Sequence, residues 1–113
     1  MWRLDVSPYD VTVDGPDGPA VREFDVKGSI SILLFNPALQ LEVPQAFEAK
    51  DLLDRINATD DAILLDKADM ARLRRAYDAF RAPHPNALEL LRRIRDAETV
   101  DVEATAPALR SLG

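Results

Sequence analysis

The chain has 113 residues, 47% of them apolar and 30% charged, with a formal net charge of −6 and no cysteine. That is enough apolar material for one core; it excludes disulfides, thiolate metal sites and a cysteine nucleophile. The longest apolar runs, Ile30–Phe35 and Ala62–Leu65, fall far short of the roughly 18–20 residues that span a bilayer.

Residues 2–13 alternate. Trp2, Leu4 and Val6 point one way, and Tyr9, Val11 and Val13 the other after Pro8. A change of parity across a proline predicts either one bent strand or two short ones. Asp14-Gly15-Pro16-Asp17-Gly18-Pro19 is dense in turn formers and predicts a hairpin onto Val21–Val26, with Phe24 and Val26 facing inward. From Asp25 the period lengthens. Asp25 suits the N-cap of a buried helix through Ile30, Leu33 and Leu34, ending near Asn36-Pro37. A strand over 26–35 also fits Ile30, Ile32 and Phe35; helix is the reading adopted.

Pro44 opens the next predicted helix, with Ala46, Phe47, Leu52, Leu53 and Ile56 as its apolar stripe to Asn57. Ala62–Leu65 reads as a brief strand. Asp66 and Asp69 are placed as a carboxylate cap for a helix striped by Met70, Leu73, Tyr77 and Phe80. Pro83-His84-Pro85-Asn86 ends it and starts another, whose core face is predicted as Leu88, Leu91 and Ile94 beside Ala87. Thr99–Val102 suits a last strand, and 104–113 reads as a flexible tail. The expected fold is a single α+β domain over residues 1–103, an N-terminal β-hairpin packed on three or four short helices.

Catalytic signatures are missing. His84 is the one histidine, and no Ser lies in a nucleophile elbow; a linker or cap role accounts for it. Asp60, Asp61, Asp66 and Asp69 lack the glycine and terminal glutamate of a calcium loop. Four glycines, at 15, 18, 28 and 113, supply neither a phosphate-cradling loop nor a dinucleotide fingerprint. No catalytic residue, cofactor or metal site is therefore expected.

Charge is the feature with functional content. Residues 72–95 carry Arg72, Arg74, Arg75, Arg81, Arg92, Arg93 and Arg95 against only Asp78 and Glu89, inside a chain that is acidic elsewhere. If the two helices fold back on each other, these arginines share a surface. The surrounding acid disfavours nucleic acid as the partner, whereas guanidinium forks suit protein contacts. Trp2 and the seven arginines are the candidate partner-binding set, for a protein partner or for self-association through opposed charge faces. No membrane contact is expected. The first residues, Met-Trp-Arg-Leu-Asp, have no apolar leader core, and the expectation is a cytoplasmic protein.

Gly28-Ser-Ile-Ser-Ile-Leu-Leu-Phe-Asn-Pro37, Ala49-Lys-Asp-Leu-Leu-Asp-Arg-Ile56 and Ala62-Ile-Leu-Leu-Asp-Lys-Ala-Asp-Met-Ala-Arg-Leu73 together resemble small accessory proteins of tailed-phage structural and assembly gene clusters. The resemblance implies a non-enzymatic assembly factor, tail chaperone or connector component acting in the host cytoplasm or the virion, and carries no site residues with it. The alternative is a small acidic inhibitor of a nucleic-acid-binding enzyme, with the acidic stretch 42–69 and the N-terminal strands as its working surface.

Overall fold

The structure, a computed structural model, describes residues 1–100. The order along the chain is β1 (Trp2–Asp5), β2 (Tyr9–Gly15), β3 (Gly18–Phe24), α1 (Val26–Leu34), α2 (Val43–Asn57), β4 (Ala62–Leu65), α3 (Lys67–Ala79), α4 (Leu88–Arg95) and β5 (Glu98–Thr99). Short 3-10 turns at Pro37–Leu39 and Pro85–Ala87 introduce α2 and α4. This is the α+β architecture expected from the sequence. The tail at 104–113, the boundary at 103 and the end of the predicted 99–102 strand lie outside the described residues.

The parity change at Pro8 separates two strands that join different sheets. β1 is the centre of an antiparallel sheet ordered β4-β1-β5, with Trp2 opposite both Leu65 and Thr99. β2 and β3 form a separate two-stranded ribbon, in which Gly15 pairs with Gly18 around Pro16-Asp17. Gly18 has φ +102, a conformation only glycine adopts without cost.

Residues 26–35 are helical, not extended. Asp25 accepts a hydrogen bond from the Gly28 amide at 2.9 Å and so caps α1. Val26 accordingly belongs to the helix rather than the hairpin, and buries there beside Ile30, Leu33 and Leu34. Leu4 and Val6 from the first strand region, Leu52 and Ile56 from α2, Met70 and Leu73 from α3, and Leu90 and Ile94 from α4 complete one core.

Two predicted core positions are corrected. On α2 the buried residues are Ala49, Leu52, Leu53 and Ile56, and Phe47 is 69% exposed. At about 100° per residue Phe47 lies roughly 200° round the helix from Ala49, facing solvent. On α4 the buried residues are Leu90, Leu91 and Ile94, while Leu88 is 54% exposed for the same reason. On α3 the innermost stripe is Met70, Leu73 and Ala76; Tyr77 and Phe80 pack at its edge. No helix among the described residues is long and apolar enough to cross a membrane.

Candidate functional site

The N-terminus of α3 is held by charge. Asp66 accepts from the Asp69 amide at 2.7 Å, and the Asp69 carboxylate accepts from the Asp66 amide at 3.4 Å, a reciprocal capping box. Arg55 on α2 grips the same Asp69 carboxylate with two bonds, at 2.9 and 2.7 Å. Hydrogen bonding from Arg55 holds the Asp69 carboxyl below the usual carboxylate range, against the burial that pushes it up. This clasp ties the start of α3 to α2.

The arginine island is then divided among separate tasks. Arg72 pairs with Glu48 of α2. Arg74 lies over the Trp2 ring, 5.9 Å from its centroid, with the half-buried indole against the core. Arg75 is exposed and forms no ion pair with any described residue; it lines a smaller cleft of about 230 Å³ with Leu39, Leu41 and Gln45.

Arg93 turns inward. Its side chain is only 12% exposed. Nη1 donates to the Ser7 carbonyl at 2.7 Å, Nε faces Glu89 at 3.3 Å, and the guanidinium lies 4.9 Å from the Tyr9 ring centroid. Tyr9 stacks on Phe24, with ring centroids 4.9 Å apart. Its hydroxyl donates to the Asn86 carbonyl at 2.6 Å and accepts from the Leu90 amide at 3.2 Å. Burial raises the Tyr9 pKa, opposed by the Leu90 amide and Arg93. Asp5 is pushed up by burial but held below its ordinary value overall by bonds from Ser7 and by Arg93. Together these groups clamp the base of the hairpin to the start of α4, so Arg93 is consumed within the chain.

Arg81, Arg92 and Arg95 do come together. With Asp78 they line a groove of about 540 Å³ between the end of α3 and α4, whose apolar side chains include Tyr77, Phe80, Leu88 and Leu91. A small apolar recess that shares Phe80 and Leu91 with it continues the apolar floor to Ile32 of α1, which is 67% exposed. Arg92 is bonded to Glu89 at 2.9 and 2.7 Å, and Arg95 to Asp96 at 2.8 and 2.9 Å. Arg92 accordingly lowers the Glu89 carboxyl and Arg95 that of Asp96. Arg81 donates instead to the backbone carbonyls of Asp78 and Phe80, at 2.7 and 3.3 Å, and forms no ion pair with any described residue.

The next residue, Ala82, has φ +51. Left-handed geometry at a residue with a Cβ stores strain, and Gln40, with φ +49, shares it away from the groove. At Ala82 it lets the chain leave α3 beside the groove and run to His84, whose Nδ1 accepts from the Asn86 amide at 3.1 Å. His84 thus caps the turn that starts α4. No group of three or more potential metal ligands is gathered among the described residues.

Of the seven arginines expected to share a surface, Arg81, Arg92 and Arg95 line this groove; Leu88, expected in the core, is exposed beside them. The signal available was Leu88 lying two residues before Leu90, on the outer side of a short amphipathic helix. No family model, curated protein or solved structure matches this chain.

Proposed function

We propose that this protein is a non-catalytic protein-binding module that docks a partner through the α3–α4 groove, in the manner of the small phage assembly accessory proteins its sequence resembles. The observation that carries the reading is the groove's composition. Tyr77, Phe80, Leu88 and Leu91 give it apolar surface, and Arg81, Arg92 and Arg95 outnumber its one lining carboxylate, Asp78. An apolar centre with a polar rim, enriched in aromatic residues and arginine, is the anatomy of a protein interface. The matching partner presents apolar anchors flanked by carboxylates, and the guanidiniums set its orientation.

The experiment is partner capture from host cytoplasm with Arg81→Glu/Arg95→Glu, compared with Asp51→Lys/Asp54→Lys on the acidic face of α2. Docking in the groove predicts loss with the first pair and retention with the second, both variants melting like the wild type. The acidic-inhibitor reading predicts the reverse, and that pattern would displace the groove as the working surface.

A further inference from the structure

The β2–β3 ribbon has the complementary chemistry to the groove. Within the described residues these strands pair only with each other. The ribbon is tied to the body at its base, where Tyr9 and Phe24 pack on the core. Seven residues per strand make an arm of roughly 24 Å at about 3.4 Å per residue. An isolated two-stranded ribbon is marginal in water, so an arm of this length gains from being covered.

Its outer face shows what would cover it. Asp10 stands directly opposite Glu23, and Thr12 opposite Val21. Like charges directly opposed across strands destabilise a ribbon unless a cation lies between them or over them. Segment 9–24 holds four carboxylates, Asp10, Asp14, Asp17 and Glu23, against the single cation Arg22. Val21 sits among these acids on the same face and is 67% exposed. An apolar anchor between carboxylates is the form of ligand the groove is built to receive. The internal pairs Arg92–Glu89 and Arg95–Asp96 do not block it, because exposed ion pairs are weak and rearrange at little cost.

We propose that the groove's occupant is the β2–β3 hairpin of a second copy of this chain, Val21 entering between Phe80 and Leu88 while Asp10 and Glu23 meet Arg81 and Arg95. The inference rests on the docking function assigned to the groove and names its partner. The contact is head-to-tail: each copy offers a hairpin and a groove at different places, so association continues into a ring or an open string rather than stopping at a symmetric dimer. A contact of this kind is small and charge-dependent, hence weak and salt-sensitive.

Sedimentation velocity over a protein concentration series tests it, at 0.1 M and 1 M salt, where the Debye length is about 10 Å and about 3 Å. The wild type should associate at low salt and dissociate at high salt. Arg81→Glu/Arg95→Glu and Asp10→Lys/Glu23→Lys should each weaken association at least about tenfold. Mixed, the first's unaltered hairpin meets the second's unaltered groove and the second's reversed hairpin meets the first's reversed groove, so association should return in the mixture. Carrying all four reversals in one chain should restore self-association. Should the hairpin reversal perturb folding, Val21→Asp serves in its place, with circular dichroism as the check. A wild type that stays monomeric at low salt, or association that survives both reversals, overturns the assignment. If the wild type is monomeric but Arg81→Glu/Arg95→Glu still abolishes capture of another protein, the occupant is wrong and the groove stands; if capture also persists, both fall.

Discussion

Arg93 and Arg95 lie two residues apart on the same helix and should behave as different kinds of residue. Replacing Arg93 by alanine removes a charged hydrogen bond to the Ser7 carbonyl at 2.7 Å, worth about 1.5–3 kcal/mol. It also removes a guanidinium 4.9 Å from the Tyr9 ring centroid, about 0.5–1 kcal/mol or more when desolvated. The pairs with Glu89 at 3.3 Å and Asp5 at 3.7 Å add about 0–1 kcal/mol each, because both carboxylates are solvated. These contributions share one side chain and do not add fully, so the expected loss is about 3 kcal/mol. Arg95 pairs with the exposed Asp96 on the surface, and Arg95→Ala should leave stability unchanged. Equilibrium urea unfolding of both variants measures the difference as a shift in midpoint at constant slope. If Arg93→Ala costs less than about 1 kcal/mol, the clamp between hairpin base and α4 is not what holds the ribbon to the body.

Tyr9→Phe keeps the stack on Phe24 but leaves the Asn86 carbonyl and the Leu90 amide without their bonds, and should cost about 1–3 kcal/mol in the same assay. Gly18→Ala meets no atom within 4 Å, so its penalty is the backbone conformation alone, about 1–2 kcal/mol, read as a lower thermal midpoint. Asp69→Asn breaks the clasp with Arg55. The Asp69 carboxyl titrates below its unfolded value of about 3.9, so its contribution is present above that pH and is lost as pH falls through the depressed folded value. The variant should therefore be less stable than wild type at pH 7, with the gap closing in acid; a constant gap from pH 7 to 2 would contradict it. His84→Asn preserves an acceptor for the Asn86 amide and should leave partner capture unchanged from pH 6 to 8.

Local signals in the sequence were legible where local physics decides. Asp25, Asp66 and Asp69 announced helix starts because a short carboxylate satisfies backbone amides wherever the fold places that helix. The glycines of Asp14–Pro19 announced the hairpin because few residues tolerate its turn. What escaped depends on distant segments. Arg93 resembles Arg92 and Arg95 until Tyr9 and Ser7, more than seventy residues earlier, return to cover it. Phe47 and Leu88 matched an apolar composition but not the angular phase of their helices, which neighbouring buried residues set. Nothing in the local sequence marks Ala82 as left-handed, since alanine has no intrinsic preference for that conformation.

The central claim is that the α3–α4 groove is the contact surface, and site-specific photocrosslinking inside cells tests it most directly. A photoreactive phenylalanine analogue at Leu88 reports from the groove, and the same group at Phe47 reports from a still more exposed apolar position on α2 outside it. Docking in the groove predicts a discrete crosslinked product from position 88, lost when Arg81 and Arg95 are reversed, and none from position 47. A discrete product from position 47 with none from position 88 would contradict the account.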